Sequence, residues 1–407
     1  MHYPTLTLTS KVTNNMPSES QLSPKLSFFG RLPEELDAAL AAWGWAKFRG
    51  KQVREWAYSK LVIDPAGMTN LSRRDQQFLA ERLDFATAQI TTRQSSSDGT
   101  EKLLLTWHPD SENPASHPAA QPGAVAAVKA PPAAETVMIP DADRRTACVS
   151  SQVGCPVGCR FCASGMGGVK GNLTAAQIVE QVVQLNFLLN PPGEPHAERG
   201  GKPGERITNI VFMGMGEPLA NYANVMRAVR ILHDPQCFNI GARRITISTV
   251  GVPPKMRDLA NEDLPINLAV SLHAPTEPLR KELIPWAEHF ALDDILDAAR
   301  YYFDRTGREI TLEYILLAGV NDRTEHARQL ARLCKTLRAN VNLIRYNPVA
   351  GLAYKRPTSQ DVVNFQNILR NSGVNAHVRK SRGRDIDAAC GQLKKRQEGV
   401  TVNAAAE

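Results

Sequence analysis

Three cysteines in one short loop constrain this chain more than any other feature of it. Cys155, Cys159 and Cys162 stand in GCPVGCRFCASG, with three residues and then two between them. Thiolates are soft, negatively charged ligands that suit iron–sulfur clusters. At this spacing they hold a [4Fe–4S] cluster by three irons and leave the fourth without a protein ligand. A fully ligated cluster mostly moves electrons, whereas an open iron can bind and cleave a small molecule. The plainer alternatives are an inert cluster and a zinc site. Zinc usually takes four protein ligands, often as two C-x2-C pairs, and no second pair exists in this sequence.

The molecule that suits an open iron is S-adenosylmethionine (SAM), which binds through its amino and carboxylate groups and is cleaved to a radical. Phe161, just before the last cysteine, is what radical-SAM loops usually show. The 407 residues allow a large core and two domains. No apolar run reaches the about 18 residues of a membrane helix. The N-terminal stretch MHYPTLTLTSKVTNN lacks an apolar h-region, so no secretory signal is expected. Seven cysteines in a chain this long do not suggest a disulfide scaffold, and a reducing cytoplasm fits them.

The formal charge is +7. Much of the excess falls near the C-terminal end, at Arg379, Lys380, Arg382, Arg384, Lys394, Lys395 and Arg396 against Asp385 and Asp387. Such a cluster attracts phosphates, and on charge alone a solvated face explains it equally well.

Residues 1–25 are polar and read as a disordered tail. LPEELDAALAAW carries an apolar face at Leu36, Leu40 and Trp43. FRGKQVREWAYSKL places Phe48, Val53, Trp56 and Leu61 at near-helical spacing. LSRRDQQFLAERL has a Ser72 cap and a face at Phe78, Leu79 and Leu83. These give a helical domain over 26–95. A β-hairpin and linker follow over 96–146, with a strand at 101–107 and an Ala/Pro-rich insertion at 109–134. A second insertion covers 190–205. Strands and helices then alternate through a domain at 147–393, and a basic, then flexible, tail occupies 394–407.

The expected strands lie near Cys148 and at 207–213, 244–250, 266–272, 309–316 and 340–346. Thr174 and Gln177 form a capping box for a helix with Ile178, Val182, Leu185 and Leu189 on one face, and Gly373 stops the helix that begins near Thr358. The fold class is therefore α/β. Six βα units are too few for a closed eight-stranded barrel, so an open, six-stranded parallel β/α barrel is expected, with the small all-helical domain ahead of it.

Sites in such folds form at the C-terminal ends of strands. GMGEP follows the strand at 207–213, and there Gly216 allows close backbone approach while Glu217 is a candidate acceptor for the SAM ammonium. Ser248 ends the next strand, Ser271, Leu272 and His273 end the one after, and Asn347 follows NLIRY. Each alone could be an ordinary turn residue. Together with a cluster loop they describe one shared pocket. Cys237 and Cys334 read as small buried hydrophobes, and Cys148 allows that reading too. Cys390, in DIDAACGQL beside basic residues, has the setting of an exposed, activated thiolate.

The sequence resembles the RlmN/Cfr family of radical-SAM adenine methyltransferases. The resemblance runs from about residue 30 to 393. It rests on CVSSQVGCPVGCRFCASG, GNLTAAQIVEQV, NIVFMGMGEPL, RRITISTVG, NLAVSLHAP, LRKELIP, GVND, YNP and DIDAACGQL, in that order. It implies an answer to a chemical problem, because carbon 2 of adenine is electron-poor and cannot attack a methyl donor. By motif, Cys390 first receives a methyl group from one SAM. A second SAM is cleaved to a 5′-deoxyadenosyl radical, which takes a hydrogen from that methyl. The carbon radical adds to the adenine and forms a protein–RNA adduct. Glu135, in ETVMIP, is matched to the base that removes the ring proton; from the sequence alone it is an ordinary strand-end acid. Cys148 is matched to the residue that attacks Cys390 sulfur, releases product and leaves a Cys148–Cys390 disulfide.

The resemblance also assigns SAM contacts to Gly216, Glu217, Ser248, Ser271, His273 and Asn347, the strand-end residues already named. It makes the N-terminal helices an RNA-binding accessory domain. Its implied partners are ribosomal RNA, tRNA and a flavodoxin-type electron donor, with no membrane, and the chain is expected to act as a monomer in the cytoplasm. The sequence departs from common members at both insertions and at Trp286, where a small polar residue is frequent. SLHAP, YNPVAG and SRGRDIDAACGQL look like the branch that methylates carbon 2 rather than the carbon-8 resistance branch. A glycyl-radical activase would share the cluster but not the Cys148 and Cys390 pair. A non-catalytic RNA-binding protein would need no open iron.

Overall fold

The computed structural model describes residues 25–107, 131–190 and 205–393. The expected tails at 1–25 and 394–407 lie outside this set, apart from Lys25, as does nearly all of both insertions.

Two short parallel strands, β1 (Leu26–Ser27) and β2 (Leu83–Asp84), close the N-terminal unit. Between them run α1 (Pro33–Ala42), α2 (Phe48–Arg54), which continues into a π turn (Glu55–Ser59), and α3 (Arg73–Arg82). Pro33 opens α1, where a missing N–H costs nothing, and Glu35 accepts from the Leu32 N–H at 3.0 Å. Ser72 caps α3 by accepting from the Asp75 N–H. Leu36, Leu40, Val53, Leu61 and Leu79 are buried as their spacing predicts. Phe48 is not. It is 58% exposed, because it is the first residue of α2 and its ring lies outward under Arg49.

The helical unit ends earlier than residue 95. β3 (Ala88–Ser95) is an edge strand of the main sheet, its exposed Thr91, Thr92 and Arg93 keeping that edge polar. The stretch expected as hairpin and linker also belongs to that sheet, as β4 (Glu101–Trp107), β5 (Ala133–Asp141) and β6 (Arg144–Cys148). A small antiparallel pair, β7 (Gln152–Gly154) and β8 (Val169–Asn172), brackets the three-cysteine loop. The βα series then proceeds through α4 (Ala175–Leu189), β9 (Asn209–Phe212), α5 (Tyr222–His233), β10 (Ile245–Thr249), α6 (Pro253–Ala260) and β11 (Asn267–Ser271). It continues with α7 (Glu277–Leu283), α8 (Leu292–Thr306), β12 (Ile310–Leu316), α9 (Thr324–Lys335), β13 (Ala339–Arg345), α10 (Ser359–Asn371) and β14 (Ala376–Arg379).

The ten-stranded sheet runs β14-β13-β12-β11-β10-β9-β6-β5-β4-β3. From β6 to β14 neighbours are parallel, and from β3 to β6 antiparallel. The six expected parallel strands are therefore present, β14 extends them by one, and the sheet stays open because β14 and β3 do not pair. β14 escapes sequence pattern because its four residues, AHVR, are too few to show a period. β10 to β12 are buried on both faces, as helix-covered parallel strands must be.

The N-terminal unit shares the barrel's core. The Tyr58 ring packs on Phe28, Phe29 and Phe238. At the other end of this interface Glu180, on α4, is buried and receives four donors: the N–H and hydroxyl of Thr87, the Ala88 N–H and Trp107 Nε1. Burial pushes the Glu180 carboxyl up to about 7 against the pull of those donors. Glu180→Ala strands all of them at once. At about 1–3 kcal/mol for each group left buried and unpaired, the loss is expected to exceed about 3 kcal/mol in denaturant unfolding.

Candidate active site

The pocket is assembled at the C-terminal ends of the parallel strands. Cys155 follows β7 directly, and its N–H donates to Gly168 O at 3.1 Å, which pins the loop's two ends together. All seven cysteines are free of disulfides. Burial raises the thiols of Cys155, Cys159 and Cys162; Cys162 and Cys155 raise Cys159 further, and Cys162 raises Cys155, so the three face one another. Among the described residues no three His, Cys, Asp or Glu side chains converge closely enough to hold a single metal ion.

Two features fit these thiols to an anionic iron–sulfur cluster. First, an apolar shell of Val157, Phe161, Ile284, Ile315 and Tyr346 packs against them. Such a shell limits water and tunes a cluster's potential. Second, Arg280 is 1% exposed and leaves Nε and Nη1 without a partner, while its charge acts to lower Cys159. A buried, half-satisfied guanidinium beside a thiol is costly unless negative charge faces it.

The strand-end residues picked out by sequence do converge. Gly216 has φ +108° and lies against the 151–152 backbone, where a Cβ would meet Ser151 Oγ at 2.6 Å and Gln152 N at 2.9 Å. Ser151 Oγ is itself buried and without a partner. An orphan hydroxyl beside a bare glycine makes a cradle for a polar ligand. Ser248 Oγ lies 3.4 Å from Ser271 Oγ. His273 takes the left-handed region at φ +58°, and its ring meets Phe161 of the cysteine loop edge-on at 5.1 Å. Burial, with Arg280 adding, pushes its imidazole down to about 3, so it is neutral. Its Nδ1 accepts from the Ile315 N–H at 3.1 Å, which leaves Nε2 as the donor.

Three of these side chains are already engaged or enclosed within the protein. Glu217 is buried, and its carboxylate accepts from Leu219 N at 3.0 Å and Val250 N at 2.8 Å, so it fastens the ends of β9 and β10. Burial pushes it up to about 7 despite those bonds. The Leu272 side chain is wholly buried, so only its backbone can meet a ligand. Asn347 Oδ1 is engaged by Arg356 Nη1 at 2.9 Å.

A second group gathers around the segment after β14. Arg379 Nη1 lies 3.6 Å from Cys390 Sγ and 3.6 Å from Met213 Sδ. Cys148 ends β6, paired with Val137 on β5 and Val211 on β9. Burial pushes its thiol up to about 12, with Cys390 adding and Arg379 opposing. Cys390 is half-buried rather than fully exposed. Glu135, two residues before Val137, lies on the sheet face that carries Cys148. It pairs with buried Lys102, Nζ to Oε1 at 3.4 Å.

The segment 380–393 crosses the mouth of the open barrel. Asp385 accepts from Ser96 Oγ at 2.5 Å and Ser97 N at 3.1 Å, Gly383 N donates to Asp98 Oδ2 at 3.0 Å, and Lys102 Nζ donates to Asp387 O at 3.3 Å. Beyond Cys390 it is tied to the cysteine loop, by Ala163 N to Gly391 O at 2.8 Å and Ser164 Oγ to Leu393 O at 2.7 Å. This strap spans from β14 to the β3–β4 turn and sets Cys390 over the pocket.

Comparison with known proteins agrees with this geometry. The Radical SAM superfamily matches residues 196–331, and the Ribosomal RNA large subunit methyltransferase N-terminal domain matches 28–84. A relative from Symbiobacterium thermophilum, named "Probable dual-specificity RNA methyltransferase RlmN", is 44% identical over 90% of both chains. The chain belongs to the RlmN family. A relative of the same name from Thermosynechococcus vestitus is 42% identical over 90% of this chain and 98% of its own. A crystal structure of a radical SAM methyltransferase from Sphaerobacter thermophilus superposes with TM-score 0.79 at 40% identity, covering 90% of this chain and 99% of that one. Membership of the RlmN family implies a [4Fe–4S] cluster and SAM, for which the residues above supply thiols, a counter-charge and a polar cradle.

Sequence does not single out Arg379, Lys102, Arg280 and Ser151 as site residues. Arg379 stands there only within a basic cluster, and Ser151 only within the motif CVSSQ.

Proposed function

We propose that this chain methylates carbon 2 of an adenine in large-subunit ribosomal RNA, at the peptidyl-transferase centre, and carbon 2 of an adenine in tRNA. The observation that carries the reading is that Cys390, on a strap fastened to the three-cysteine loop, lies 3.6 Å from Arg379, whose charge also acts on buried Cys148. The relatives' shared name, dual-specificity RNA methyltransferase, supports the substrate class. Among the described residues no helix is long and apolar enough to cross a membrane.

When bound on Cys155, Cys159 and Cys162, with SAM against Gly216, Ser248, Ser271, Leu272, His273 and Asn347, the cofactors supply a methyl group and a 5′-deoxyadenosyl radical, using two SAM per product. Cys390 carries the methyl group between SAM and RNA. Its sulfur is the bridge between protein and base once the methyl carbon has bonded to carbon 2. Glu135 accepts the ring proton as the adduct gives up one electron, for which the cluster would be the acceptor, and Lys102 lies beside Glu135 as counter-charge. Cys148 then attacks Cys390 sulfur. The sulfur–carbon bond to the product breaks as the Cys148–Cys390 disulfide forms, the Cys148 thiol proton passes to the departing carbon to complete the methyl group, and a dithiol reductant restores both thiols. Glu217 joins the SAM contacts: its two oxygens hold the strand ends through one backbone N–H each and keep further acceptor sites for the SAM ammonium. A flavodoxin-type donor, a monomeric state and a cytoplasmic location complete the proposal.

Anaerobic incubation of the reconstituted protein with SAM, reductant and protein-free ribosomal RNA, followed by mass spectrometry of nucleosides, tests it. The expected product is 2-methyladenosine. An 8-methyladenosine product would keep the chemistry and move the chain to the carbon-8 branch. SAM cleavage with no methyladenosine would favour another radical-SAM reaction class.

A further inference from the structure

An open cavity of about 380 Å³ lies where the strap leaves β14, lined by Asp98, Arg345, Arg356, Val378, Arg379, Lys380, Ser381, Arg382 and Arg384. Six of these nine residues are cationic. Asp98 is the one acid among them, and its carboxylate is turned to the Gly383 and Thr100 N–H groups at 3.0 Å each. Arg382 has a counter-ion outside the lining, Asp141, at 3.5 Å. Arg345 spends Nη2 on the Pro357 carbonyl and leaves Nε buried with no partner. The Arg356 guanidinium is held below the usual arginine range by burial and then by the charges of Arg384 and Arg345, so three guanidinium groups crowd one another. So much like charge in one place opposes folding.

The cavity's position gives it meaning. Arg379 reaches from its wall to Cys390 Sγ, and Arg356 reaches from it to Asn347 Oδ1. A ligand seated there lies beside both the methyl-carrying sulfur and the strand-end pocket. An adenine presented to Cys390 must be taken out of its stack, and its sugar–phosphate links must follow it to the mouth of the site. Base recognition cannot neutralise those links, whereas arginine and lysine do.

We propose that this cavity is a phosphodiester site, which seats the backbone of the RNA next to the target adenine. It rests on the reading of the chain as an RNA methyltransferase and adds to it a defined anchor, formed by Arg345, Arg356, Lys380 and Arg384. The volume suits a sugar–phosphate unit and is at the small end of ligand pockets, about 300–1,000 Å³.

The test uses the reconstituted full chain and the double variant Lys380→Gln with Arg384→Gln, two exposed positions that touch neither Cys390 nor Asn347. Methylation of Cys390 by SAM, read by intact-protein mass spectrometry, needs no RNA and stays at the wild-type level, which also shows that the variant folds. Binding of protein-free ribosomal RNA is then measured against salt. The slope of log K on log salt becomes shallower by about 0.7 for each phosphate no longer neutralised. The RNA KM rises about tenfold with little change in kcat, as expected when a charge-assisted bond to phosphate is removed. Arg384→Lys restores most of both. Unchanged slope and KM in a self-methylating variant overturn the site, as does a KM loss that does not vary with salt. If the wild-type protein binds RNA with the steeper slope yet methylates none, the functional reading fails while the phosphodiester site stands. A variant that loses Cys390 methylation is replaced by Lys380→Gln alone, judged by the same slope.

Discussion

Protein with Cys390 replaced by alanine binds its cluster, cleaves SAM and produces no methyladenosine. Cys390 is the one thiol that touches both the Arg379 guanidinium, at 3.6 Å, and the segment tied to the cysteine loop. Its removal takes away the atom proposed to carry the methyl group, so the expected loss is on the order of 10³-fold or more rather than a graded one. The cluster ligands are on a different loop, and the Gly391 and Leu393 carbonyls that hold the strap are main-chain atoms unaffected by the change. Iron and sulfide content and the visible absorbance should therefore match wild type, while nucleoside mass spectrometry finds nothing. Methylation that survives at more than a few per cent would show that another atom carries the group.

Cys148→Ala has the opposite signature. The methyl transfer steps proceed, but the protein–RNA link is not broken, and each molecule stops after one event. A covalent complex that withstands denaturing electrophoresis accumulates toward one RNA per active protein. Cys148 is buried and ends a central strand, so loss of its sulfur also leaves a small void costing about 1 kcal/mol. That cost is too small to unfold the chain. Absence of the complex under turnover conditions, in a variant whose Cys390 is methylated normally, would remove the resolving role from Cys148.

The fate of Cys148 in the resting protein adds a constraint. Burial holds its thiol near 12, and the charge that opposes this, Arg379, also faces Cys390. It is therefore held as a protonated, weakly reactive thiol. Premature disulfide formation is slow for the same reason, since the thiolate is the attacking form.

Local pattern carries much of this architecture. The cysteine loop, the Thr174–Gln177 box and the βα alternation are all written in contiguous residues, and each is found where its spacing predicts. Ser248, Ser271, His273 and Asn347 are legible because parallel strands must end at one rim. What escapes is non-local. Lys102 and Asp387 are hydrogen-bonded across a separation of 285 positions, and no period or motif joins them. Arg379 is indistinguishable from several surface charges until β14 turns it toward Cys390. The charge of Glu217 suggests a ligand contact, and the two backbone N–H groups its carboxylate also serves cannot be read from composition. Phe48 defies its spacing because helical periodicity says nothing about which residue begins the helix.

The strap has a consequence for how the protein is made. Cys390 is synthesised more than two hundred residues after the cysteine loop, and its anchors at Ser96, Asp98 and Ala163 are all finished long before it emerges. A chain that ends before this segment holds the residues of β3 to β13 and the cysteine loop but, on the role proposed for Cys390, has no group to receive a methyl. On the role proposed for Cys390, competence to modify RNA depends on a segment translated after the cysteine loop and most of the sheet, so copies that stop short of it are expected to be inert toward RNA.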